Sequence, residues 1–444
     1  MSGSSRAFLE GVFAESLAAV HGGRAVLGAV ESDAEGKISI AGRTVPAGTG
    51  FWIAAMGKAA GSMTEAFSRV AGERVRGGLV ITRDGYGKPL PGRVALRLAG
   101  HPVPDSRGEM AARELIEWAA RIPEDDILVV LLSGGASAMT SLPEPGLQLS
   151  DLVETNRLLL ASGADIHAVN AVRKHCSRIG GGRLALAASC KRIEVLALSD
   201  VPGDTLSSIG SGPCVGDPTT FADALAAVER FGLAARLPKA LRMHLEAGSR
   251  GEAPESPSPG DPALARVSTT VVANNTVARR AALRAASARG ERTLDLGEIL
   301  SGEAREAGRR LAALARSIRS DTSILLVAGG ETVVTLTGGG RGGRSQELAL
   351  AAVLEWERGG MGRAKAMLAV GTDGADGPTD AAGAIVDAES RPRGATSVER
   401  AWQRLYENDS YGFFEGMGGL VRTGPTDTNV MDLVFIHIAG PGND

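Results

Sequence analysis

Aromatic residues are scarce in this chain, at 4% of 444 residues. Surfaces that stack nucleic-acid bases depend on them, so the scarcity argues against that class of partner. Strong charge of one sign is also missing: the formal net charge is −3 with both signs interspersed, which provides no basic field for a polyanion. No apolar run approaches the roughly 20 residues needed to cross a bilayer. The three cysteines, Cys176, Cys190 and Cys214, are an odd number without metal-ligand spacing. They predict a reducing compartment and neither a disulfide framework nor a zinc site. The opening MSGSSRAFLEGVFAESLAAV carries Glu10 and Glu15 and reads as an amphipathic helix, not a signal peptide. These absences predict a soluble cytoplasmic protein that binds neither nucleic acid nor membrane.

Glycine, by contrast, is plentiful, with 60 residues that gather at the ends of apolar runs. The densest cluster lies in Ala328–Leu350, AGGETVVTLTGGGRGGRSQELAL. Thr332–Thr337 alternates β-branched and apolar residues and predicts a strand. Gly338–Gly343 follows, with five glycines in six residues. Such a run loses much backbone entropy on ordering, so it suits a place where the backbone comes very close to something. Ser345–Glu357 then predicts a helix with Leu348, Ala351, Ala352 and Trp356 on one face. Exposed N–H groups at a helix N-terminus, with Arg341 and Arg344 beside them, predict a phosphate or carboxylate cradle that includes Gly340, Gly342 and Gly343.

The remaining pattern is that of an α/β protein. Residues 51–56 (FWIAAM) predict a strand, Gly57–Ala60 a turn, and the next stretch a helix to about Val70. Lys58 falls where that helix begins, as an anion contact or, alternatively, as a solvated surface lysine. Ile127–Leu132 is apolar throughout, as in a parallel strand buried on both faces. It ends in Ser133-Gly134-Gly135-Ala136-Ser137, placed where doubly wound sheets bind ligands. This loop predicts a nucleotide or phosphate contact, although no G-x-x-x-x-G-K-[ST] occurs in the chain. Glu194–Leu198 predicts a strand leading into Asp200 and Asp204, placed to hold Mg²⁺, to accept a proton, or to cap a helix. Gly248–Pro262 is polar and rich in Pro, Gly and Ser and reads as a linker. Residues 1–247 and 263–444 then form two domains, the second starting with the strand Thr269–Ala273, and its last segment is a candidate to pack back on the first. Asp373, Asp376 and Asp380 sit among glycines after a strand at Ala366–Val370 and predict a metal and phosphate loop. Asp373 and Asp376 are the candidate metal ligands.

Taken together, GHPVPDSRG, LLSGGASAM, SDVPGDTLSSIGSGP, GDPTTFADAL, GGETVVTLTGGGRGGRSQELAL, GTDGADGPTDAAGA, NDSYGFF and TGPTDTNV resemble the glycerate 2-kinase (MOFRL) family, whose members include proteins labelled hydroxypyruvate reductase. The resemblance spans about Phe8 to Ile438. It implies two three-layer α/β/α domains, the larger Rossmann-like, with the active site in the cleft between them. It also implies ATP- and Mg²⁺-dependent phosphorylation of D-glycerate at the 2-hydroxyl, giving 2-phosphoglycerate and ADP. The family's proposed catalytic lysine falls on Lys58 and its GGRxQE arginine on Arg344. Gly180, Ser345 and Met431 depart from the family pattern, at positions where lysine, asparagine and asparagine are expected.

Phosphoryl transfer calls mainly for positioning and charge neutralisation. Lys58, Arg344 and Asp200 are the catalytic candidates. Ser133, Gly134, Gly135, Ser137, Asp204, Glu331, Gly340, Gly342 and Gly343 are the binding candidates. Among the aspartates the choice between base and metal ligand stays open. The rival reading is an NAD(P)H-dependent hydroxypyruvate reductase, since Gly338, Gly340 and Gly343 fit G-x-G-x-x-G. That fingerprint expects an acidic residue about 20 positions on, at the end of the next strand, and here only Glu355 and Glu357 lie near, inside the predicted helix. A homodimer is the candidate assembly.

Overall fold

The computed structural model describes residues 5–387 and 395–440. The chain divides into two compact units, Gly22–Val272 and a second made of Met1–His21 with Ala273–Asp444.

In the unit Gly22–Val272, six strands form one sheet in the order Val94–Ala99, Val75–Arg83, Phe51–Met56, Ile127–Leu132, Arg192–Leu198, Val267–Ala273. The first four neighbouring pairs run parallel. The chain starts in the middle, at Phe51–Met56, and steps outward to one side. It then returns to lay Ile127–Leu132 on the other side of the first strand. That order is the doubly wound arrangement, whose reversal point opens a crevice at the C-terminal ends of the two central strands. All six residues of Ile127–Leu132 are buried, as a strand covered on both faces requires. Four helices, Leu149–Ala161, Ile166–His175, Phe221–Arg230 and Lys239–Ser249, surround a second apolar core that includes Leu159, Val172, Phe221 and Leu241.

The boundary differs from the expected one. Val267–Ala273 joins this sheet and does not begin the next unit. The Pro/Ser-rich segment 248–262 is tied down: Arg183 Nη1 donates to Ser256 Oγ across 2.7 Å, and the Asp217 N–H donates to the Pro257 carbonyl across 2.8 Å. Its composition resembles a linker's, but these polar contacts fix it to the unit.

The other unit has a mixed sheet in the order Arg292–Leu300, Ile324–Gly330, Asp432–Ile438, Ala364–Gly371, Gly383–Asp387, Leu420–Val421. The last strand of the chain therefore lies inside this unit's own sheet, antiparallel to both neighbours. Strand side chains alternate between faces. On one face Leu326, Ala328, Val434, Ile436 and Met367 share a core with Leu311, Leu348 and Trp356 from the helices Ala304–Ser317 and Arg344–Gly359. On the other, Phe435 meets Phe13 of the helix Ser5–Val20, their rings 6.0 Å apart. The N-terminal helix thus belongs to the unit built from the C-terminal half.

Candidate active site

The crevice of the unit Gly22–Val272 is built by two short loops bonded to each other. After Phe51–Met56 the chain turns through Gly57 and enters the helix Ala60–Ala71 with Lys58 and Ala59 at its mouth. Gly57 has φ +113°, and a Cβ there would stand 2.3 Å from the Ser133 carbonyl oxygen. Only glycine fits. The Lys58 N–H donates to the Gly134 carbonyl across 3.0 Å, and the Ala59 N–H donates to Ser133 Oγ across 3.0 Å. Ser133 Oγ in turn donates to the Met56 carbonyl at 3.3 Å, so this hydroxyl is spent on bracing the loops. Lys58 is therefore held by its backbone at the reversal point of the sheet, and it is only 8% exposed. The bland alternative of a solvated surface lysine does not describe it.

Ser137 and Ser211 share a short hydroxyl–hydroxyl hydrogen bond, which joins the Ser133–Ser137 loop to the loop after Arg192–Leu198. Gly135 has φ +88°, and a Cβ there would lie 3.0 Å from His101 Nε2. Asp200 and Asp204 follow the strand Arg192–Leu198, both half-buried, with Asp204 at φ +54°. Lys58, the Ser133–Ser137 loop, Asp200 and Asp204 thus all follow the C-terminal ends of three adjacent strands. All three cysteines are buried free thiols, and burial pushes each of them up, Cys214 to about 12.

The glycine-rich stretch of the other unit differs from expectation in three respects. Thr332–Thr337 is not a strand. The strand is Ile324–Gly330, and residues 331–343 run as an irregular loop that makes one isolated bridge at Val333. Among the described residues no strand lies beside it; Val333 bonds to the backbone of Gly302 and Ala304, and side chains take several of the other hydrogen bonds. Thr335 N–H and Oγ1 donate to Glu303, and Thr337 and Gly338 N–H groups donate to Asn408 Oδ1 at 2.7 and 2.9 Å.

The helix N-terminus is also not an open anion cradle. Arg344–Gly359 begins with its Ser345 and Gln346 N–H groups donating to the two oxygens of Asp376, at 3.1 and 2.8 Å. Each oxygen of Asp376 thereby accepts a backbone N–H of the helix's first turn, so this carboxylate caps the helix. Its carboxyl is pushed up to about 7, first by burial and then by the nearby Asp432 charge, against the pull of those two N–H bonds.

The glycines, finally, serve packing. A Cβ at Gly338 would stand 2.4 Å from the Glu407 carbonyl oxygen, at Gly340 2.4 Å from Asp409 Cβ, and at Gly342 2.2 Å from Ser410 Oγ. At Gly343 it would meet Asp376 at 2.3 Å. What the bare backbone approaches is the segment 407–410 of the same unit. Only Gly339 of the run faces open space.

Arg344, the first residue of the helix, is enclosed by carboxylates. Its Nε and Nη2 donate to Asp432 Oδ2 and Oδ1 at 2.5 and 2.9 Å, and Nη1 pairs with Glu331 Oε1 at 2.7 Å. Burial alone would lower its pKa, but the charges of Asp432 and Glu331 outweigh that and hold it well above the ordinary guanidinium value. Asp432 reaches it because the first residue of the last strand lies opposite Gly330 and Gly371. Asp432 and Asn408 escaped the sequence reading, although TGPTDTNV ends two residues before one and NDSYGFF starts at the other.

Among the described residues no group of three or more His, Cys, Asp or Glu is arranged to hold a metal. Magnesium in a phosphoryl-transfer site is held by one or two carboxylates together with substrate phosphates and waters. Asp373 Oδ1 accepts the Ala375 N–H at 3.0 Å.

Residues 8–246 match the family model described as Domain of unknown function (DUF4147), and residues 324–432 match the MOFRL family. Over 432 residues the chain is 40% identical to Glycerate 2-kinase of Pyrococcus horikoshii, covering 95% of this chain and 94% of that protein. The chain belongs to the MOFRL glycerate kinase family. A crystal structure of glycerate kinase from Thermotoga maritima superposes with a TM-score of 0.77 at 33% identity, over 96% of this chain and 97% of that one. A relative from Agrobacterium vitis, 41% identical over 86% of each chain, is provisionally named hydroxypyruvate reductase. No helix among the described residues is long and apolar enough to cross a membrane.

Proposed function

We propose that this protein is a kinase that phosphorylates D-glycerate at the 2-hydroxyl, using ATP and Mg²⁺ and giving 2-phosphoglycerate and ADP. The observation that carries the reading is the placement of Lys58. It is buried at the reversal point of a doubly wound sheet, in a chain whose relatives are named glycerate 2-kinases. A transferring phosphoryl group spreads negative charge over its oxygens, and a fixed ammonium meets that charge as a point donor. Asp200 and Asp204, past the next strand but one in the sheet, are the candidates to take the proton of the glycerate hydroxyl. Asp373 would be a carboxylate to hold Mg²⁺, which would supply neutralisation of phosphate charge.

A dinucleotide-dependent reductase is less well supported. Its glycine fingerprint needs a strand that turns directly into a helix. Here residues 331–343 separate strand from helix, and Gly338 and Gly340 pack on protein backbone.

Incubation with D-glycerate, ATP and Mg²⁺, followed by phosphorus NMR of the product, tests the proposal. A 2-phosphoglycerate resonance is expected. Absence of any phosphorylated product, with hydroxypyruvate-dependent oxidation of NAD(P)H, would overturn it. The same reading makes the protein a cytoplasmic enzyme and a homodimer its candidate assembly, which light scattering on the purified chain checks.

A further inference from the structure

The two arginines of the glycine run have opposite situations. Each nitrogen of the Arg344 guanidinium has a carboxylate partner in Asp432 or Glu331, which engages three of its five N–H donors. Arg341 has no hydrogen-bonded or ion-paired acceptor for its guanidinium among the described residues. What it has is Tyr411: its Cζ lies 3.7 Å from the centre of that ring. The tyrosine is itself fixed, donating from its hydroxyl to Asp380 Oδ1 at 2.8 Å and accepting from Arg422 Nη2 at 2.9 Å. The backbone of Arg341 is pinned on both sides, its N–H donating to Asp409 Oδ1 at 3.2 Å and its carbonyl accepting the Tyr411 N–H at 2.9 Å. The residue is exposed and adjoins the open side of the loop near Gly339.

An arginine held over an aromatic face by cation–π attraction keeps its N–H donors for other partners. It therefore loses little further side-chain freedom when it meets a planar or tetrahedral oxyanion. We infer that Arg341, pre-oriented by Tyr411, is a guanidinium that engages an anionic oxygen group of a reactant. The shared chemistry is a phosphate of the nucleotide or the carboxylate of glycerate. The inference rests on the kinase reading for the identity of these reactants, and on the loop's own geometry for the rest.

The test uses the full chain and the variants Arg341→Ala, Arg341→Lys, Tyr411→Leu and the Arg341→Ala/Tyr411→Leu double variant. Calorimetry with ADP and, separately, D-glycerate reads affinity without requiring turnover. Arg341→Ala is expected to weaken one of the two about 10- to 100-fold, with Arg341→Lys recovering only part because it lacks the fork. Weakening of ADP identifies the phosphate; weakening of glycerate identifies the carboxylate. Tyr411→Leu is expected to weaken the same ligand several-fold, and to add nothing once Arg341 is alanine, since it acts through that side chain. Additive effects, or loss of melting temperature without change in affinity, would give Tyr411 a purely structural role and overturn the pairing. Unchanged affinity of Arg341→Ala for both ligands would overturn the inference. Binding that depends on Arg341 in a protein that transfers no phosphate would overturn the kinase reading alone.

Discussion

Arg344 and Asp432 meet fork to fork although 88 residues separate them, and the carboxylate comes from the first residue of a strand inside the sheet. A bidentate pair of this kind fixes the plane of the guanidinium as well as its charge. Arg344→Lys keeps the charge and loses the plane. It should lower kcat/KM on the order of 10- to 100-fold through displacement of the glycine loop. Wild-type kinetics would show that turnover does not depend on this pair. Asp432→Asn, which leaves a partly exposed cation without its main partner, should cost about 1–2 kcal/mol in a urea titration after allowance for solvent.

Gly57→Ala places a methyl group against the Ser133 carbonyl at a backbone angle that side chains rarely adopt. The expected loss is roughly 2–3 kcal/mol of stability. Activity should fall even where the variant remains folded, because the Lys58-to-Gly134 bond must lengthen. A variant with unchanged melting and turnover would show that the two loops are not rigidly joined.

Paired substitutions in the glycine run separate packing from ligand approach. Gly340→Ala should destabilise the unit by about 1–3 kcal/mol because its Cβ meets Asp409. Gly339→Ala, with nothing near its Cβ, should stay within about 0.5 kcal/mol of wild type. The reverse order in thermal melts would contradict the packing account.

Asp376 gives the protein a pH signature. Its folded pKa, about 7, lies above that of an unfolded aspartate. A raised carboxyl favours the folded state most below the unfolded pKa, and that advantage is lost as pH rises through the folded one. Stability should therefore fall between about pH 4 and pH 7 with a contribution of at most about 1.4 kcal/mol per pH unit from this group. Asp376→Asn should flatten that slope in denaturant titrations at several pH values. An unchanged slope would assign it to other groups.

The doubly wound sheet was legible because each of its central strands is a wholly apolar run that ends in small residues, as in Ile127–Leu132 followed by Ser133-Gly134-Gly135. The place of Lys58, between that kind of strand and the helix after it, was legible for the same reason. The glycine run was legible as a close approach of backbone, and the structure brings it against another segment of the same unit. Composition shows that a backbone comes close to something, but not that the something is the segment 407–410 of the same chain. Thr332–Thr337 has strand-forming residues, yet a strand needs a neighbour, and local pattern cannot show that none stands there. Asp432 and Asn408 depend on contacts across 88 and 71 residues, beyond the reach of any periodicity. The boundary near Val272 was missed because a polar, proline-rich segment can be tied down by hydrogen bonds as well as left free.

The interior position of Asp432–Ile438 has a consequence for how the chain emerges from the ribosome. Ile324–Gly330 and Ala364–Gly371 are both synthesised before the strand that joins them. Until it arrives, each presents an apolar strand with an unfilled edge, the form of surface that chaperones shield and that pairs wrongly between nascent chains. The same arriving segment brings Asp432, so the carboxylate that closes on Arg344 is delivered by the step that seals the sheet. The strand that seals the sheet is thus also the one that carries the arginine's carboxylate partner.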